Sequence, residues 1–137
     1  IKLKKIRSKV YCLMSDGELD EGSNWEAFLS AAHYGLKNLI AIIDRNRLQS
    51  IENTEKTLML EPLSEKLKAF NWNVLTIDGH NHENLENVLL QENSSKPTLV
   101  IANTIKGKGV SFMENKVVWH YRSPTKADLI KAKSELI

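Results

Sequence analysis

The sequence predicts an α/β fold, a doubly wound parallel sheet with helices on both of its faces. Short apolar runs, nearly continuous as in strands buried on both sides, alternate with segments whose apolar residues recur at helical spacing. The resulting order, β-α-β-α-β-α-β, favours right-handed crossovers between parallel strands. The four predicted strands are VYCLM (10 to 14), LIAII (39 to 43), NVLTI (73 to 77) and TLVIAN (98 to 103).

The first predicted helix lies between the first two strands. Ser23 and Glu26 have the spacing of a capping box, in which two side chains bond the backbone at the start of a helix. Gly35 stands where such a helix is expected to end. The apolar residues at helical spacing between these ends are Trp25, Phe28, Leu29, Ala32 and Leu36.

Three further helices are predicted downstream. The second covers roughly residues 61 to 71, with Pro62 in its first turn, and the third covers roughly 82 to 92. The fourth begins at the capping box of Thr125 and Asp128. Residues 106 to 124 show no periodic pattern, and a loop of that length is typically functional or disordered.

Composition limits the class of protein. With 137 residues, 42% of them hydrophobic, the chain is expected to form one domain over residues 1–137. A net charge of +2 argues against nucleic acid or a membrane surface as a partner, and no apolar stretch is long enough to cross a bilayer. The lone Cys12 excludes a disulfide framework, is expected in the core, and favours a cytoplasmic setting. Because the first residue is isoleucine, we expect the domain to be incomplete at its N-terminus.

Polar residues follow the first two strands where each strand ends. Asp16 and Asn46 converge if the two strands are neighbours, since open parallel sheets bind ligands beyond their carboxyl ends. A carboxylate, an amide oxygen and a nearby backbone carbonyl are the hard ligands that Mg2+ takes beside phosphates and water. Gly17 permits close approach of a phosphate, and the helix that follows favours an anion. The pattern predicts a site for a magnesium-bound diphosphate, with an ordinary Asp-Gly turn as the alternative.

The stretch SDGELDEGSNWEAFLSAAHYGLKNLIAIIDRNRLQ (15 to 49) closely resembles the thiamine-diphosphate motif of transketolases. The likeness continues through IDGHNHENL (77 to 85), NTIKGKGVSFMEN (103 to 115) and WH (119 to 120). It is most similar to the amino-terminal, diphosphate-binding subunits of split transketolases. The resemblance implies the thiamine-diphosphate-binding fold, thiamine diphosphate with Mg2+ or Ca2+ as cofactors, and transfer of a two-carbon ketol unit between ketose and aldose phosphates.

The resemblance also implies a role for individual residues. Asp16 and Asn46 are expected to bind the metal through their side chains, and Leu48 through its backbone oxygen. His120 is expected to contact cofactor and sugar and to assist proton movement, and Glu21 to lie at a subunit interface near the cofactor. The residues expected to bind the cofactor are Ser15, Gly17, Glu18, Asn46, Ile105 and His120.

The chain departs from the family pattern at two positions. Ser15 replaces the family glycine before Asp16, so its hydroxyl either donates to a phosphate oxygen or adds bulk that weakens binding. Tyr121 replaces a glycine after His120, which changes the expected path of that loop. Lys106 and Lys108 either steer phosphate or solvate the loop, and residues 78 to 80 are expected to form a turn outside the site.

The resemblance implies an assembly that is active only with a partner. The glutamate that activates the cofactor is expected from a partner subunit with a pyrimidine-binding domain, in a homodimer or heterotetramer. Two alternatives stay open: another thiamine-diphosphate enzyme, such as a deoxyxylulose-phosphate synthase or a pyruvate dehydrogenase-type component, and a non-catalytic relic subunit without cofactor. The WEA helix and the KGKGVSFMEN loop favour transketolase over the other enzymes.

Overall fold

The computed structural model of the chain describes residues 1–6, 8–90 and 95–136. Four parallel strands form one sheet in the order β1-β2-β4-β3. They are β1 Val10–Ser15, β2 Leu39–Arg45, β3 Asn73–Asp78 and β4 Thr98–Asn103. The predicted α/β class and the four predicted strands are confirmed.

Five helices connect and follow the strands in the part of the chain that is described. They are α1 Gly22–His33, α2 Thr54–Thr57, α3 Leu63–Ala69, α4 His82–Leu90 and α5 Lys126–Glu135. The four predicted helices are confirmed, except that positions 91 and 92 of the third lie outside the described residues. The short α2 was not predicted, because four residues are too few to produce a periodic pattern. None of the described helices is long and apolar enough to cross a membrane.

The strand order determines which helices share a face of the sheet. With right-handed crossovers, α1 and α3 lie on one face, because both connections advance in the same direction, and α4 returns across the other. Phe28 of α1 and Leu67 of α3 belong to one buried cluster with Ile43 and Leu99 of the sheet. Strand residues that alternate with these are also buried but belong to no part of that cluster: Ile40, Val100 and Ala102. The central strands are therefore covered on both faces.

Strand β1 differs from the expectation that both of its faces are covered. It is an edge strand that pairs only with β2 among the described strands. Tyr11 is 49% exposed and Leu13 72% exposed, whereas Met14 is buried. Cys12 is exposed as well, so its predicted place in the core is wrong. A continuous apolar run identifies a strand but does not distinguish a central strand from an edge strand.

The two predicted capping boxes have different outcomes. Helix α1 begins at Gly22 with Glu21 as its N-cap and no side-chain cap, so the predicted box of Ser23 and Glu26 is wrong. A 3-10 turn, Gly17–Asp20, ends two residues before α1 begins. At α5 the box of Thr125 and Asp128 is confirmed, since each side chain bonds the backbone of the other.

Candidate active site

The segments after β1 and β2 lie side by side at the carboxyl edge of the sheet. The parallel register sets Ser15 opposite Asp44, and the backbone N–H of Asp16 donates to the carbonyl of Asp44 at 3.1 Å. The two strands are thus neighbours, as the convergence of Asp16 and Asn46 requires. We refer to residues 15–20 as the first loop and to residues 46–50 as the second loop.

Asp16 is the buried acid where these loops meet. Its side chain is completely buried, and its Oδ2 accepts the backbone N–H of Arg47 at 2.6 Å and Nη1 of Arg45 at 3.0 Å. Its other oxygen, Oδ1, is buried and has no hydrogen-bond partner among the described residues. A buried carboxylate oxygen without a donor is costly, so Oδ1 is suited to accept a cation.

The protonation equilibrium of Asp16 reflects this incomplete pairing. Burial raises its pKa above the ordinary value, and the hydrogen bonds from Arg47 and Arg45 offset that rise only in part. The neighbouring carboxylate of Asp44 raises the pKa of Asp16 further. A cation beside Oδ1 is therefore expected to favour the ionised form of Asp16.

The side chain of Asn46 is held in one orientation by two contacts. Its Nδ2 donates to Oδ1 of Asp44 at 3.3 Å, and its Oδ1 accepts the N–H of Leu48 at 3.0 Å. Thr104, which follows β4, donates its hydroxyl to the same Asp44 oxygen. Because an amide oxygen has two lone pairs, Oδ1 of Asn46 keeps one for a further donor or cation.

Two further contacts join the first loop to the second. Gln49 donates its Nε2 to Oδ2 of Asp20 at 3.0 Å. A Cβ added at Gly17 would lie 3.3 Å from the Cβ of Gln49, closer than most real contacts of this kind. Close packing of the loops accounts for glycine here, and the expected approach of Gly17 to a phosphate stays a prediction.

The hydroxyl of Ser15 points back into its own turn. The N–H and Oγ of Ser15 both donate to Oε2 of Glu18, at 2.6 and 3.0 Å. The backbone N–H of Glu18 lies 3.3 Å from the same hydroxyl oxygen and completes a reciprocal pair. Ser15 and Glu18 thus stabilise the 3-10 turn after Asp16, and their expected contact with the cofactor stays a prediction.

His120 comes close to the second loop although 70 residues separate it from Ser50. It ends a second 3-10 turn, Val117–His120, and its Nδ1 lies 3.4 Å from the hydroxyl of Ser50. Trp119 anchors this turn, since its indole N–H donates to the carbonyl of Phe112 at 3.1 Å and the two rings pack edge to face. The imidazole itself is exposed to solvent.

A buried acid, an oriented amide and a nearby exposed histidine thus lie at one edge of the sheet. The family model described as transketolase, thiamine diphosphate binding domain, matches residues 2–136. The chain belongs to the transketolase family. It is 44% identical over 126 residues to an apulose-4-phosphate transketolase subunit of Phocaeicola vulgatus, covering 90% of this chain and 45% of that protein.

A second curated relative and a solved structure are also transketolases. A 6-deoxy-6-sulfo-D-fructose transketolase subunit, SqwG, of a Clostridium species is 39% identical over 122 residues, covering 88% of this chain and 44% of that protein. The crystal structure of transketolase from Campylobacter jejuni superimposes with a TM-score of 0.89 at 32% identity, covering 96% of this chain and 21% of that one. This transketolase-family chain thus spans less than half the length of the two curated subunits.

Arg45 was not among the residues predicted for the site. Its side chain is 1% exposed, and its Nη1 donates to Thr54 at 2.7 Å as well as to Asp16. Its Nη2 donates to Glu55 at 2.6 Å and to Glu61 at 3.0 Å. Burial opposes its charge, but the hydrogen bonds to these carboxylates prevail and raise the pKa of Arg45. The sequence signal for Arg45 was a cationic residue at the end of an apolar strand. Its partners Glu55 and Glu61 could not be recognised, because they lie 10 and 16 residues later in the chain.

His80 contacts a residue that was predicted for the site. Its Nε2 accepts the backbone N–H of Ile105 at 2.7 Å, just after β4. The N–H of His80 in turn donates to Oδ1 of Asp78 at 2.9 Å, which holds the turn after β3. The turn supports the backbone of Ile105, and its expected place outside the site stays a prediction.

The other residues considered for the site differ in their exposure to solvent. Glu21 is exposed at the start of α1, Lys106 is half-buried and Lys108 is exposed. Leu48 is half-buried and forms an antiparallel bridge with Asn53. No group of three or more His, Cys, Asp or Glu side chains suited to a metal occurs among the residues described. The expected metal site differs from such a group, because it needs one carboxylate beside amide and backbone oxygens.

Proposed function

We propose that this chain binds the diphosphate end of magnesium-bound thiamine diphosphate in a split transketolase. The enzyme transfers a two-carbon ketol unit between ketose and aldose phosphates. The observation that carries the proposal is the buried Oδ1 of Asp16, which no described residue hydrogen-bonds, in a residue joined to the loop of Asn46 through the N–H of Arg47. Membership of the transketolase thiamine-diphosphate-binding family supports the choice of cofactor.

The donor set fits a hard divalent cation. Asp16 offers a carboxylate oxygen, Asn46 an amide oxygen and Leu48 a backbone oxygen, and phosphates and water complete such sites in proteins. We assign these three residues as ligands of Mg2+ or Ca2+. Gly17 and Ile105 flank the cofactor in this proposal, while Ser15 and Glu18 act through the turn that they stabilise.

His120 is assigned the proton transfer on substrate hydroxyls. Its Nδ1 faces the hydroxyl of Ser50, which leaves Nε2 as the ring nitrogen for a substrate. Solvent exposure keeps the imidazole accessible, and the nitrogens of an imidazole ring can accept and donate a proton. When bound, thiamine diphosphate supplies the nucleophilic carbon with which two-carbon units are carried.

A partner completes the proposed active site. Two relatives that are 44% and 39% identical to this chain are named as transketolase subunits. These names support a separate partner subunit that carries the pyrimidine-binding domain and its activating glutamate. Glu21, exposed at the start of α1, is assigned to the interface of a homodimer or heterotetramer. Because those relatives are named for two different sugars, we propose the substrate class only, ketose and aldose phosphates.

A transfer assay tests the function directly. The full-length protein, combined with its partner subunit, is incubated with a ketose phosphate and an aldose phosphate, and both products are measured. We expect transfer that requires thiamine diphosphate and is abolished by a chelator of divalent cations. Condensation of pyruvate with an aldose phosphate, or decarboxylation of pyruvate alone, would instead identify one of the two other enzyme classes. Absence of cofactor binding to the assembled protein would identify a non-catalytic subunit.

A further inference from the structure

The buried guanidinium of Arg45 connects two segments of the chain whose relative position the proposed metal site depends on. One nitrogen, Nη1, donates to Asp16 at 3.0 Å, and the same nitrogen donates to Thr54 at 2.7 Å. The other, Nη2, donates to Glu55 at 2.6 Å and to Glu61 at 3.0 Å. Asp16 follows β1, whereas the other partners lie in and after α2, so one side chain holds two segments together.

The second segment includes the backbone of a proposed ligand. Leu48 pairs with Asn53 in an antiparallel bridge, and the N–H of Thr54 donates to the carbonyl of Arg47 at 3.0 Å. Asn53 caps α2 by accepting the N–H of Glu55 at 2.9 Å. The chain therefore leaves the sheet at Arg45, passes through Leu48, and returns to the same guanidinium.

We propose that Arg45 is a positioning residue for the metal site, which it serves by holding Asp16 and the loop that carries Leu48 in one rigid arrangement. This inference rests on the function proposed above. By occupying Oδ2 of Asp16, together with the N–H of Arg47, Arg45 leaves Oδ1 as the oxygen for the cation. The planar guanidinium holds its donors at fixed positions, so it can bond Asp16 and Glu55 at the same time. The single ammonium group of a lysine does not reach both carboxylates.

Metal affinity of the cofactor-loaded assembly tests the proposal. Mn2+, a spectroscopic substitute for Mg2+ that takes the same oxygen ligands, is titrated into the full-length protein with its partner and thiamine diphosphate, and free Mn2+ is measured by electron paramagnetic resonance. Arg45→Lys keeps the charge and removes the fork, and we expect it to bind Mn2+ about tenfold more weakly, as is typical when support of a ligand is lost. Arg45→Met removes the charge too, and we expect it to bind Mn2+ at least as weakly.

Hydrogen exchange gives a second readout. In the wild-type protein, Mn2+ with cofactor is expected to increase protection of the amides of residues 54–61, because Arg45 couples them to Asp16. In Arg45→Lys this increase is expected to vanish. Glu61→Ala, at a side chain that is 48% exposed, removes one outer contact and serves where Arg45→Met does not fold; its Mn2+ affinity is expected between those of wild type and Arg45→Lys.

Two control variants separate positioning from general destabilisation. Lys56→Gln removes an exposed cation from α2 itself, and Leu67→Ala opens a cavity in α3 at a completely buried position. Both are expected to bind Mn2+ as the wild type does, although Leu67→Ala melts at a lower temperature.

The outcomes distinguish this inference from the function on which it rests. Wild-type affinity for Mn2+ in Arg45→Lys, or tighter binding in Arg45→Met, would overturn the positioning role while leaving the proposed function intact. The second result would mean that the guanidinium acts chiefly by repelling the cation. A wild-type assembly that binds neither Mn2+ nor cofactor would overturn the proposed function, and this inference with it.

Discussion

Replacing Asp16 by asparagine removes one candidate ligand atom with little other change. In the variant, the amide oxygen can take the place of Oδ2 and keep both hydrogen bonds, from Arg47 and Arg45. The amide NH2 group then takes the place of Oδ1, the oxygen that lacks a partner within the described part of the chain, and an amide NH2 group does not bind a cation. Arg45 keeps its two other carboxylates, Glu55 and Glu61.

The expected cost to the protein without cofactor is small. Converting two charge-assisted hydrogen bonds to neutral ones loses about 1 kcal/mol each, so about 2 kcal/mol at most. Relief of the burial penalty opposes this loss, because the raised pKa of Asp16 means that its ionised form is disfavoured in the fold. That penalty acts above the raised pKa and disappears as the pH falls below the ordinary Asp value of about 3.9.

The loss of cofactor stabilisation is expected to be larger. At a free concentration of about 100 times Kd, a ligand specific for the folded state stabilises it by about 2.7 kcal/mol. For a protein of roughly 150 to 250 residues that corresponds to a rise in Tm of about 5 to 10 °C. We expect the wild-type assembly, full-length with its partner, to show this rise with thiamine diphosphate and Mg2+, and Asp16→Asn to lose it.

The assay is thermal melting of both proteins with and without the two ligands, with Asp20→Asn as the matched control. Asp20 lies in the same loop, and its Oδ1 is also buried with no partner in the segments that the structure describes, while Gln49 donates to its Oδ2. The control therefore makes the same chemical change at a half-buried acid that we do not assign to the metal. A full cofactor-dependent rise in Asp16→Asn, or its loss in Asp20→Asn alone, would refute our assignment of the ligand.

Three further predictions concern Ser15, the start of α5 and His120. Ser15→Ala is expected to lower the free energy of unfolding by about 1 kcal/mol with cofactor affinity unchanged, because the hydroxyl serves Glu18; weaker cofactor binding at unchanged stability, by calorimetric titration, would contradict this. Thr125→Ala is expected to cost about 1 kcal/mol in denaturant unfolding. The hydrogen bonds from Thr125 lower the pKa of Asp128, so the contribution of that carboxylate is present above a pH of about 3.9 and is lost as the pH falls through the lowered pKa. His120→Asn is expected to reduce kcat/KM for ketol transfer about 100-fold or more with Tm unchanged, since the side chain is exposed; a reduction under about threefold would remove His120 from the chemistry.

The sequence by itself determined the α/β class, the four strands and the location of the first and second loops. These features are local: apolar runs, helical periodicity and the box of Thr125 and Asp128 are visible within a few residues. The adjacency of Asp16 and Asn46 was predictable as well, because consecutive parallel strands commonly pair and their carboxyl ends share one edge.

Only the tertiary structure decided which residues are exposed and which distant residues meet near the two loops. The exposure of Cys12 depends on β1 being an edge strand, and the pairing of Arg45 depends on carboxylates brought back by a long loop. The contact of His120 with Ser50 joins residues 70 positions apart. Such contacts leave no periodic trace in the sequence, because they depend on how the connections fold back over the sheet and not on neighbours along the chain.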